Sequence, residues 1–112
     1  MMFKKDLLDM VLSGRKTQTR RRHKNPLKED KIYAIKRSWY ESTGNYIRIT
    51  KIYSQKLGDV TPEEAEKEGF RSVEQFTRAW TRINGDWNPD EIVTVYEFIL
   101  DGEPRKRLDS GD

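Results

Sequence analysis

The 112-residue chain contains no cysteine. That single absence excludes disulfides, thiolate metal sites and a cysteine nucleophile. One histidine, His23, leaves little from which to build a zinc site, so neither a metal nor a cofactor is expected. Apolar residues are scarce, at 34% against 37% charged, which calls for a compact core under a heavily ionised surface. No apolar run approaches the length that crosses a bilayer. Asp6 and Asp9 interrupt the apolar positions near the start, which argues against a secretion signal. The expectation is one cytoplasmic, cofactor-free domain that stays off membranes, with a monomer as the default state.

What the chain has in quantity is charge, unevenly spread. Its net charge is only +3, yet residues 14–37 carry ten Lys or Arg against Glu29 and Asp30. Residues 59–74 reverse this, with six acids against Lys67 and Arg71. One part of the surface should attract polyanions and another should not. Taken alone, the pattern also fits a solvated ionic surface.

Phe3, Leu7, Leu8, Val11 and Leu12 recur at helical spacing and predict an amphipathic helix over residues 4–13. Gly14 ends it in a left-handed conformation. Residues 17–22 then alternate as a short strand, with Thr17, Thr19 and Arg21 on one face and Gln18, Arg20 and Arg22 on the other. The Ile- and Tyr-rich stretches 31–40 and 45–57 predict strands joined through the turn ESTGN. Thr61, Pro62 and Glu64 form a T-x-x-E capping box with proline in the first turn, opening a helix that Gly69 closes. Ser72 and Gln75 open another, with Val73, Phe76, Trp80 and Ile83 facing inward. Residues 91–100 read as the clearest strand, and 101–112 as a disordered charged tail after a domain of residues 1–100. This order of elements suggests α+β, with a small curved sheet or barrel.

Three stretches carry a resemblance. "GRKTQTRR" resembles the G-x-K-x-x-x-x-R signature of the ASCH family, through Gly14, Lys16 and Arg21. "TPEEAEKEGFRSVEQF" resembles that family's helical stretch, and "VTVYEFIL" its closing strand. The resemblance spans residues about 3–100, in family order. It implies a PUA-like fold, a small β-barrel flanked by helices with a cleft at one side, and a partner that is RNA or a modified nucleoside. One branch of small relatives hydrolyses N4-acetylcytidine with a Lys, a Thr and a Glu. Carried over, these are Lys16, Thr19 and Glu68.

The residues permit that chemistry. A threonine hydroxyl needs a base, and lysine serves only when burial or nearby positive charge lowers its pKa. Gly14, Arg15, Arg20, Arg21 and Arg22 are the candidate nucleic-acid or substrate contacts, with Trp39 and Trp87 as candidate stacking surfaces. A plainer alternative stays open: Lys16 and its arginines form an exposed ridge touching phosphates without sequence preference, and Thr19 is an ordinary strand threonine. On either reading Arg20, Arg22 and Lys24 form an outward strip. Glu68 sits at a helix end where the dipole disfavours an acid, which hints at another use.

Overall fold

In the computed structural model, which describes residues 1–23, 27–38 and 40–101, three helices pack against one antiparallel sheet. The elements are α1 (Lys5–Leu12), β1 (Gln18–Arg21), β2 (Ile32–Lys36), β3 (Ser42–Lys56), α2 (Pro62–Lys67), α3 (Val73–Asn84) and β4 (Ile92–Asp101). Spatial order in the sheet is β1-β4-β3-β2. The expected α+β class is observed; the expected barrel is not closed. β1 and β2 remain at opposite edges, and residue 2 lies between them. Met2 forms an isolated parallel bridge with Lys36, while the Arg21 guanidinium donates to the Met2 carbonyl at 2.9 Å. With the Met1 ammonium also donating to the Ala34 carbonyl at 2.6 Å, these few bonds make a seam, not a ladder.

Alternation along β4 divides the core in two. Tyr96 and Phe98 pack with Ile35, Ile47 and Ile49 against Phe3, Leu8 and Val11 of the N-terminal region. Val93 points the other way, into a cluster with Leu57, Val60 and Ala65 and with Phe76 and Trp80 of α3. Both faces of the sheet are therefore covered. Trp87, a candidate for stacking bases, instead stands edge-on to Phe76 at the border of this second cluster. Trp39 and Lys24 lie outside the described residues, as do residues 102–112 of the predicted tail; Asp101 still belongs to β4 and pairs with Arg48.

Helix punctuation follows the sequence closely. Thr61 and Glu64 exchange both capping-box bonds, with Pro62 in the first turn. Ser72 accepts from the Gln75 amide as expected, but the Gln75 side chain reaches the Arg71 amide. The predicted turn ESTGN is partly strand: β3 starts at Ser42 and absorbs Gly44, at φ 81°, in an irregularity of its pairing with β2.

Gly69 matters most for the site, because it sets the exit from α2. Its φ is 101°, and a Cβ there would lie 2.5 Å from Met10 Sδ. Gly69→Ala should therefore cost about 1–3 kcal/mol, from left-handed strain and the crowding of α1. A urea midpoint unchanged from the parent would refute this.

Candidate functional site

β1 is an edge strand of four residues, yet Gln18, Thr19 and Arg20 are all buried. Arg20 and Gln18 share a face with Tyr53 and Gln55 of β3, and α2 closes over that face. The result is a polar interior built on alternate positions of strands, where a core would ordinarily be apolar.

Lys16 stands at its centre, 1% exposed. Its Nζ donates to Glu68 Oε1 at 2.7 Å, to the Gln18 carbonyl at 2.8 Å and to the Glu68 carbonyl at 3.0 Å. These three acceptors match the three hydrogens of an ammonium. The Glu68 carbonyl is an end group of α2, so the lysine also caps that helix, with the charge its dipole favours there. The other Glu68 oxygen takes Arg20 Nη1 at 3.0 Å. Arg20 continues to Glu64 Oε2 at 2.9 Å, and to Gln55 Oε1 through both Nε and Nη2. Tyr53 joins by accepting from the Gln18 amide. Two cations thus face two carboxylates, with amides filling the gaps, which is what makes such burial tolerable.

The electrostatics follow from this packing. Burial pushes the Lys16 ammonium below the ordinary lysine pKa; Glu68 opposes the shift, and Arg21 and Arg20 add to it. Glu64 is held low: desolvation raises it, but hydrogen bonds from the Thr61 backbone and Gln55, with Arg20 nearby, outweigh that. Burial, then the neighbouring Glu97, pushes the Tyr53 phenol up to about 12.

Arg21 points to the other face, with Thr19. Its Nε contacts Thr19 Oγ1 at 3.3 Å, and its guanidinium lies 5.3 Å from the Phe3 ring centroid. Burial lowers its pKa, against the pull of Glu68, though guanidinium remains charged. Among the described residues no carboxylate lies within ion-pair distance of it. Arg22 is the opposite case. It is held by Glu91 at 2.7 Å and Asp86 at 2.6 Å, which raise its pKa, and it covers the Trp80 ring.

A cleft of about 440 Å³ runs along this edge of the sheet. Lys16, Thr19, Glu68 and Arg20–Arg22 contribute to its polar wall. Phe3, Leu7, Phe70, Phe76 and Trp80 contribute to its apolar one. Lys16, Thr19, Arg21 and Glu68, read from the sequence as facing one cleft, do come together here. No hydrogen bond joins Lys16 Nζ to Thr19 Oγ1 among the described residues.

Three expectations need correction. Arg20 is not part of an outward strip: it is 4% exposed and spends its donors on Gln18, Gln55, Glu64 and Glu68. Arg22 is half-buried and doubly paired, so it is not open to an arbitrary polyanion. Lys16 is no exposed phosphate ridge. Gly14, at φ 80°, and the exposed Arg15 do not line the cleft; Gly14 serves the turn out of α1. Sequence reasoning missed Gln18, Gln55 and Tyr53 as network members, and saw Glu64 only as a cap. The available signal was the pair of glutamines at strand positions.

Fold and site together define a class: a small α+β domain whose open antiparallel sheet carries a buried lysine–glutamate pair beside an edge cleft. The chain belongs to the ASCH domain family, whose model matches residues 1–100. No curated protein matches it. Among solved structures, it resembles a protein from Enterococcus faecalis V583 at TM-score 0.65 and 19% identity, covering 96% of this chain and 74% of that one. An ASCH domain from Lactobacillus crispatus JV V101 superposes at 0.63 with 15% identity, over 85% and 70%. ASCH from Zymomonas mobilis does so at 0.62 with 17% identity, over 90% and 64%. At such identities the likeness establishes the fold alone.

Proposed function

We propose that the cleft beside β1 takes one nucleoside, free or within an RNA. The observation that carries this is Arg21, a half-buried cation beside Thr19 with no ion-paired carboxylate among the described residues, facing an aromatic wall. A cavity of about 440 Å³ falls within the range of small-ligand sites. Phe70, half-buried, offers a surface to a planar base, while Arg21 offers donors to a base carbonyl. Calorimetry with cytidine and N4-acetylcytidine tests it. Arg21→Gln should weaken binding by roughly 10–100-fold, the worth of a hydrogen bond from a charged donor. No heat with either nucleoside, or equal affinity in the variant, would sink the reading.

A second reading adds chemistry, and the burial of Lys16 favours it over simple phosphate contact. Loss of an Nζ proton to solvent, relayed by Glu68 Oε1 at 2.7 Å, leaves a neutral amine. Once reoriented toward Thr19, that amine takes the hydroxyl proton as Oγ1 attacks an acyl carbon on the exocyclic nitrogen of the base. The C–N bond then breaks and the departing amine recovers a proton from the lysine. Water hydrolyses the acyl-threonine, releasing a carboxylate and restoring the hydroxyl. The lowered lysine pKa makes the first step easier, and Arg21 at 3.3 Å from Oγ1 stands where negative charge develops. This is the chemistry of an amidohydrolase acting on N4-acetylcytidine or a related acylated base.

A further inference from the structure

A second hollow, of about 540 Å³, lies between α1 and α3. Leu7, Met10, Phe70 and Ala79 contribute its apolar part. Lys4 and Lys5 enter from the start of α1, and Arg78 and Arg82 from α3. All four cations are exposed, and none forms an ion pair among the described residues. Asp6 is the one acid in the lining. Arg78 and Arg82 are one helical turn apart and therefore project from the same side of α3. This contrasts with the β1 network, where Lys16 and Arg20 each meet a carboxylate.

The hollow also has a definite neighbour. Lys4, Leu7, Phe70 and Ile83 line both it and the cleft, so the two are contiguous. We propose that this groove carries the backbone phosphates of nucleotides adjoining the one in the cleft, which makes the ligand single-stranded RNA. The proposal rests on the nucleoside reading of the cleft and extends it. Charge complementarity selects a polyanion, and continuity with a nucleoside-sized cavity selects a polynucleotide over a membrane or an acidic protein. A base that enters the cleft must leave its stack, which a single strand allows at least cost. Phe70, shared by both hollows, marks the point where the chain would pass from one to the other.

The test is fluorescence anisotropy with a labelled eight-residue oligocytidylate over a range of salt. Arg78→Glu with Arg82→Glu should weaken binding by about tenfold or more, and flatten the log–log salt slope by about 1.4, since each phosphate neutralised on a single strand contributes about 0.7. Arg78→Lys with Arg82→Lys should bind close to the parent. Cytidine binding in the cleft should be the same in all three proteins. The groove assignment is overturned if the Glu variant keeps the parent affinity and slope, or if the parent binds no oligonucleotide. It is overturned equally if vesicles rich in phosphatidylserine bind the parent better than the oligonucleotide does. Should cytidine bind none of the proteins while the oligonucleotide still distinguishes them, the groove stands and the cleft reading fails.

Discussion

Glu68→Leu is expected to destabilise the protein by about 3–5 kcal/mol, the usual cost of removing one partner from a buried ion pair. The carboxylate is almost fully enclosed, and its two oxygens hold different cations, Lys16 at 2.7 Å and Arg20 at 3.0 Å. Leucine fills similar space but supplies no acceptor. Arg20 keeps Glu64, Gln55 and Gln18, so the larger penalty falls on Lys16, left with two carbonyls for three hydrogens. That loss is a large fraction of the roughly 5–15 kcal/mol that holds small domains together. Adding Lys16→Met to Glu68→Leu should restore part of it, because the orphaned charge goes with the lysine. Glu68→Gln, which retains an acceptor, should cost less than leucine. Urea unfolding with a constant m-value measures all three. A Glu68→Leu cost below about 1 kcal/mol would mean that the pair is not buried as described.

The second large effect concerns the hydrolytic reading. Thr19→Ala should lower kcat/KM for N4-acetylcytidine by roughly a thousandfold or more, because among the described residues lining the cleft no other carries a hydroxyl to form the acyl intermediate. Thr19→Ser should retain much of the rate, since it removes a methyl group and keeps the nucleophile. Thr19 sits in the cleft wall rather than in the salt network, so both variants should fold with near-parent stability. The pH profile supplies a separate readout. A lysine that must be neutral to act makes kcat/KM rise with pH. Burial depresses the pKa of Lys16, so the rise should level off below the ordinary lysine value near 10.4. Stability shares that sign. Between the depressed folded pKa and the ordinary one the unfolded chain binds more protons, so the Lys16 contribution grows with pH across that window. Release of acetate by Thr19→Ala at the parent rate would eliminate the acyl-threonine mechanism, leaving nucleoside recognition to be judged on binding.

The local grammar of this chain was readable without coordinates. Thr61, Pro62 and Glu64 announce a helix start because their donors and acceptors close on one another within four residues. Gly14 and Gly69 announce helix ends because left-handed backbone is cheap only for glycine. The period of Phe3, Leu7, Leu8 and Val11 placed α1, and alternation placed β1. Family motifs then brought Lys16, Thr19, Arg21 and Glu68 to a common site, and the cleft lining contains all four.

Arg20 marks the limit of that grammar. Alternation put it opposite Thr19, which is right, but a period of two does not say which face meets water. α2 decides that by covering the second face and bringing Glu64 and Glu68, from more than forty residues away, onto the Arg20 guanidinium. Barrel closure failed for the same reason, since pairing between edges depends on how far the sheet curls. So "GRKTQTRRRHK" specified by itself a turn, a strand and a set of cations. Only the tertiary structure decided that two of those cations, Lys16 and Arg20, are buried against carboxylates, because desolvation and long-range pairing exist only once distant segments meet.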